Sequence, residues 1–91
     1  MIKVIDDWYI TVETNPTNYI VRCGDGQKDK KQGWKDKPLG YFGSLREAVK
    51  FIRGEMVAKN LLMACYTLSE AIQTISEVDY RFEGILLNIE A

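Results

Sequence analysis

From Leu68 to Ile89 apolar residues recur at steps of three and four: Leu68, Ala71, Ile75, Val78, Phe82, Ile85 and Ile89, with Ile72 and Leu86 widening the row. Such spacing lays one stripe along an α-helix, whereas a strand would scatter it over both faces. Thr67-Leu68-Ser69-Glu70 heads the stripe as a capping box, in which a hydroxyl and a carboxylate satisfy amide donors that the first turn leaves unpaired. The pattern predicts a helix over Leu68–Glu90, about 34 Å long at roughly 1.5 Å per residue. Strands of ordinary length reach only about 20 Å. Neither a small sheet nor a shorter helix covers that stripe from end to end. A second copy is the natural cover, since symmetric dimers are common and a/d-like spacing suits helix pairing. The expected homodimer interface is Ile75, Val78, Phe82, Ile85 and Ile89.

Upstream, Ser44-Leu45-Arg46-Glu47 is another capping box, followed by Leu45, Ala48, Val49, Ile52 and Met56 at helical spacing. These predict a first helix of roughly four turns, leaving Asn60 to Tyr66 as a connector whose apolar content also permits continued helix. The first 43 residues read as strands and turns. Ile2 to Ile5 is β-branched, Asp6-Asp7 offers a two-residue turn, and Trp8 to Thr14 is aromatic and β-branched. Within it Trp8, Ile10 and Val12 share one face, and Tyr9, Thr11 and Glu13 the other. Asn15-Pro16-Thr17-Asn18 is a turn, and Tyr19 to Cys23 the next strand. Gly24 to Gly33 is a polar loop. Trp34 to Phe42 returns as a last strand, with Pro38 marking an edge or a break. The expected fold is α+β: a small antiparallel sheet of three to four strands, then two α-helices, the second long and amphipathic. It forms a single domain over 1–91, with a sheet part at 1–43 and a helical part at 44–91.

The chain has no histidine, which removes Ser-His-Asp and Cys-His catalysis and His-ligated zinc together. Cys23 and Cys65 form no C-x-x-C motif and cannot complete a four-ligand zinc site in one chain; they read as reduced thiols. Asp6-Asp7 is better explained by a turn than by a catalytic carboxylate pair. Asp29-x-Lys31 matches a nuclease-like spacing but lacks the upstream acid on a rigid strand. Gly24-Asp25-Gly26 lacks the further glycines or the Lys-Ser/Thr ending of a phosphate loop. No enzymatic activity, cofactor or metal is expected. Two acids stand in Met1-Ile2-Lys3-Val4-Ile5-Asp6-Asp7 where a signal peptide needs an apolar core, and the longest uncharged run, Asn60 to Ser69, is too short for a membrane span. A cytoplasmic protein is expected, away from membranes.

Net charge is −1, from 12 basic and 13 acidic residues, so the balance favours no partner class; the placement is more informative. Lys28, Lys30, Lys31, Lys35 and Lys37 crowd the loop and the last strand against Asp29 and Asp36. Arg46, Lys50 and Arg53 line the first helix, while the second carries Glu70, Glu77, Asp79, Glu83 and Glu90 against Arg81, so the two helices can pair. The lysine loop is either a solvated surface that protects a sheet edge or a phosphate-contacting patch. In the second case Arg22, Trp34 and Tyr41 would add a donor and stacking surfaces. The contact candidates are therefore Arg22, Lys28, Lys30, Lys31, Trp34, Lys35, Lys37 and Tyr41.

Leu39-Gly40-Tyr41-Phe42-Gly43-Ser44-Leu45-Arg46-Glu47-Ala48-Val49 resembles the strand-to-helix joint of plant ethylene-response-type DNA-binding domains and of the arm-binding domains of tyrosine integrases. That resemblance implies a three-stranded sheet laid in the major groove. The chain departs from the pattern, because its strands lack the alternating Arg and Trp that read base edges, and only Arg22, Lys35 and Lys37 stand in for them. Over its length, including Asp7-Trp8-Tyr9-Ile10-Thr11 and Gly40-Tyr41-Phe42-Gly43-Ser44-Leu45, the chain is similar to short uncharacterised proteins of phages and prophages of Gram-positive bacteria. This resemblance implies an accessory, stoichiometric binder, such as an inhibitor of a host defence system. The expected function is a non-enzymatic binding module with an unidentified host or phage protein as partner; the alternative is nucleic-acid binding through the basic loop and sheet.

Overall fold

The computed structural model describes residues 1–31, 33–64 and 67–90. Six strands precede two helices: β1 (Ile2–Ile5), β2 (Trp8–Glu13), β3 (Asn18–Cys23), β4 (Lys28–Asp29), β5 (Gly33–Trp34), β6 (Gly40–Phe42), α1 (Leu45–Ala64) and α2 (Leu68–Glu90). The class is α+β, as expected. The chain divides into two compact units, Met1–Ala48 and Val49–Ala91, and the first turn of α1 falls in the first of them.

In the first unit four antiparallel strands form one sheet in the order β1-β2-β3-β6. Asp6-Asp7 makes the turn between β1 and β2, with Ile5 opposite Trp8, and Asp6 takes the left-handed conformation that short polar side chains tolerate. The β2–β3 turn carries a cis Asn15–Pro16 bond and holds a continuous register from Trp8↔Cys23 to Glu13↔Asn18. Side chains alternate across this ladder. Trp8, Ile10 and Val21 are buried on one face, and Tyr9, Thr11, Ile20 and Arg22 on the other. Burial on both faces at the centre of so small a sheet requires a cover on each. For the Tyr9 face the cover is the chain's own segment between β3 and β6.

That segment corrects the expected last strand. Trp34 to Phe42 is not continuous: β5 ends at Trp34 and pairs only with β4, and β6 is three residues long. The physical cause lies in the residues between. Asp36 is drawn onto Tyr9 and Gly26, and Pro38 has no amide to donate. Pairing with β3 resumes at Leu39, whose amide donates to the Val21 carbonyl at 2.8 Å.

Both helices start where the capping boxes place them. The Ser44 hydroxyl accepts the Glu47 amide at 3.2 Å, and the Thr67 hydroxyl accepts the Glu70 amide at 3.1 Å. Ala48, Val49, Ile52 and Met56 are the buried side of α1. The helix does not stop after four turns: Asn60 to Ala64 are helical, and α1 is 20 residues long. No glycine or proline stands between Gly54 and the Thr67 cap, and Ala58, Lys59, Leu61, Leu62, Met63 and Ala64 are strong helix formers. Residues 65 and 66, the rest of the expected connector, lie outside the described residues, and with them Cys65. At 20 residues against 23, α1 is close to α2 in length, so the premise of a short first helix behind the dimer argument fails. Among the described residues no helix is long and apolar enough to cross a membrane.

Candidate functional site

The segment from Gly24 to Leu39 is a strap clipped across the Tyr9 face of the sheet. Three side-chain attachments hold it. The Tyr9 hydroxyl donates to Asp36 Oδ2 at 2.6 Å, and the same oxygen accepts the Gly26 amide at 3.0 Å. Trp34 packs its ring against Tyr9, centroids 5.6 Å apart and tilted by 47°. Arg22 donates through Nη1 to the Asp36 carbonyl at 2.6 Å and through Nε to Thr11 Oγ1 at 3.0 Å. Backbone bonds from Gly24 N to Asp7 O and from Lys35 N to Gln27 O complete the frame. Gly24 is required at its corner: its φ is +149°, and a Cβ there would collide with the Asp36 carboxylate.

The electrostatics of the clip follow from these contacts. Burial and the bond to the Asp36 carboxylate push the Tyr9 phenol up to about 12, so it keeps its proton and donates. The Tyr9 hydroxyl and the Gly26 amide hold the Asp36 carboxyl below its ordinary value.

On this frame the lysines face outward. Lys30, Lys31, Lys35 and Lys37 are exposed, and among the described residues none of the four is ion-paired. Two of the strap's three acids are engaged, Asp36 in the clip and Asp29 in a local turn, where Oδ1 accepts the Lys31 amide at 3.0 Å, while Asp25 is exposed. Lys28 is committed differently, its ammonium 4.7 Å from the Trp34 ring centroid. Lys3, opposite Tyr9 in the ladder, and Tyr41, opposite Ile20 and 61% exposed, share the strapped face.

Two expected contact residues are therefore displaced from that role. Arg22 is only 8% exposed, and two of its donors bond Thr11 and Asp36, so it braces the strap. Trp34 is half-buried between Tyr9 and Lys28, which withdraws it as a stacking platform. Lys30, Lys31, Lys35, Lys37 and Tyr41 remain accessible together.

The second unit presents a different surface. Of the expected dimer residues, Val78 and Phe82 are 2% and 0% exposed within the single chain, and Ile75, Ile85 and Ile89 are half-buried. A contact surface cannot be built on Val78 and Phe82, because they are already core. Arg53 of α1 pairs with Asp79 of α2, and this bond raises the guanidinium pKa further. The exposed apolar residues of α2 are instead Leu68, Ile72, Tyr80 and Leu87. Tyr80 lies two residues, about 200° round the helix, from each of Val78 and Phe82. Shallow grooves meet at its ring: one of about 500 Å³ includes Arg53, Ser76, Glu83 and Leu86, another of similar volume Gln73, Glu77 and Arg81.

The Tyr9–Asp36 clip was not foreseeable from local pattern, since its partners are 27 residues apart. The Tyr80 flank had a signal. Tyr80 and Leu87 fall outside the main stripe at a spacing of seven, which marks a second apolar side. Leu68 and Ile72 are exposed although the periodicity assigned them to the core row, and Ile72 borders that second side. Against protein-family models, curated proteins and solved structures, the chain has no match.

Proposed function

We propose that this protein is a non-enzymatic binding module that docks a protein partner through the exposed flank of α2. The proposal includes the accessory, stoichiometric role in a bacterial host that the sequence resemblance leads one to expect. The observation that carries the reading is the exposed pair Tyr80 and Leu87, seven residues apart on one side of the helix, with the tyrosine 80% exposed and Ile72 at the edge of that side. Exposed apolar side chains on a helix that already buries another side mark a partner surface. Anchors at i and i+7 suit a helix laid into a groove, and an aromatic is the residue type that most often dominates such contacts.

Charge narrows the partner. Glu70, Glu77 and Glu83 flank that side against Arg81, so an apolar groove with a basic rim is complementary. Two copies apposed through this flank would set acids against acids, which favours a different protein over a second copy as its occupant. The test compares capture from a Gram-positive host lysate by wild-type protein and by Tyr80→Ser/Leu87→Ser. A partner retained by wild type and weakened about 30-fold or more by the variant supports the flank, as loss of an aromatic anchor of about 2 kcal/mol implies. Equal capture by both overturns it. A doubled mass in light scattering that the variant abolishes assigns the flank to self-association instead.

A further inference from the structure

We propose that the strapped face of the sheet is a second interaction surface, one that grips the phosphate backbone of duplex nucleic acid without reading its sequence. The proposal is independent of the α2 flank and uses none of its residues. Three observations carry it.

The first is the fixed outward charge. A flexible lysine-rich loop gains solubility from its charges and needs no anchor. This one is clipped to the sheet by Tyr9, Asp36, Arg22 and Trp34, so the backbone that carries Lys35 and Lys37 is fixed before any ligand arrives, and the β4–β5 pairing carries Lys30 and Lys31 at its turn. Preorganised charge lowers the ordering cost of binding. The second is the disposal of the acids. Asp36 turns inward and Asp29 caps the tip, so one exposed acid of the strap, Asp25, stands against Lys30, Lys31, Lys35 and Lys37, which are exposed and unpaired among the described residues, with Lys3 on the same face. Duplex DNA presents about one negative charge per 1.7 Å, so a short hairpin with lysines at its tip and along its returning limb meets several phosphates at once.

The third observation selects the ligand. Single-stranded nucleic acid is held by successive aromatic platforms, and here Trp34 is stacked inward, leaving Tyr41 as the exposed aromatic of this face. Base readout in a groove needs Arg, Asn or Gln aimed at base edges, and Arg22 is buried beneath the strap. Insertion into a bilayer needs outward apolar side chains at the tip, where this strap carries Lys30 and Lys31. What remains is backbone contact with a duplex.

The experiment is fluorescence anisotropy of the full chain against two unrelated mixed-sequence duplexes of equal length, from about 50 to 200 mM salt. Four phosphate contacts give a slope of log affinity against log salt of about −3.6, a loss of roughly 150-fold over that range. Lys30→Gln/Lys31→Gln removes two contacts and should bring the slope to about −1.8. Lys50→Glu on α1 and Tyr80→Ser on α2 should leave it unchanged. Equal affinity for the two duplexes is expected. Absence of binding at the low salt, a slope that the double glutamine variant does not alter, or strong preference for one sequence would each overturn the proposal. So would binding to anionic phosphatidylserine vesicles with the same lysine dependence while the duplex is ignored.

Discussion

At the scale of single residues, the sheet's second face is held by a small set of polar contacts whose loss has a definite sign. Arg22 is buried, and Thr11 Oγ1 is the acceptor of its Nε. Thr11→Val keeps the shape and removes that acceptor, leaving a buried cationic donor unmatched. The expected cost is about 1–3 kcal/mol in urea unfolding, with Thr11→Ser close to wild type. The Tyr9–Asp36 bond gives a pH signature. Tyr9 has its pKa raised from 10.0 to about 12, so its contribution is complete below pH 10.0 and is lost as pH rises through 12. Asp36 is shifted down from 3.8, so its contribution is complete above that value and is lost as pH falls through the lowered one. The stability of wild type relative to Tyr9→Phe should therefore be constant between pH 3.8 and 10.0 and decline on either side. A difference that changes near neutrality would contradict this arrangement. None of these contacts was legible in the sequence. Alternation placed Tyr9 and Thr11 on one face, but which segment would cover that face depends on where residues 24 to 39 fold back.

At the scale of elements the sequence was more informative, because the signals are local. Asp6-Asp7 and Asn15-Pro16 turned the chain where expected, and both capping boxes opened helices at the predicted residues. Stops were harder to read. The Thr67 cap implies a connector before it while the apolar content of Asn60 to Tyr66 permits continued helix, and the strong helix formers up to Ala64 decide for helix. The last strand was set too long because the aromatic content of Trp34 to Phe42 outweighed Pro38. Ser44→Ala and Thr67→Ala should each cost about 1 kcal/mol, and the two effects should add, since the caps serve separate helices. Thermal unfolding followed by far-ultraviolet circular dichroism measures both.

For the whole molecule, a net charge of −1 conceals two surfaces of opposite character. The strap is basic and polar, and the α2 flank is apolar with an acidic border. If each serves its own partner, variants should separate them: Lys30→Gln/Lys31→Gln weakens duplex binding and spares protein capture, while Tyr80→Ser/Leu87→Ser does the reverse. A single variant that abolished both would point to one shared surface or to a loss of folding, which circular dichroism distinguishes. The candidate surfaces were half legible. Charge clustering picked out lysines that are exposed, because solvated cations need no tertiary context to be so. The apolar surface was placed on Val78 and Phe82 because periodicity alone cannot say which of two apolar sides of a helix the fold will bury.

Two residues, Lys37 and Pro38, separate the Asp36 clip from Leu39, where pairing with β3 resumes. Within β6 neighbouring side chains emerge on opposite sides, and the pairing of Tyr41 with Ile20 puts Tyr41, and not Phe42, on the strapped face. Sliding β6 by one residue against β3 would exchange them, turning the phenol to the opposite face while leaving β1 to β3 in place. The irregular residues before Leu39 can absorb a change of length, and the three paired residues of β6 cannot.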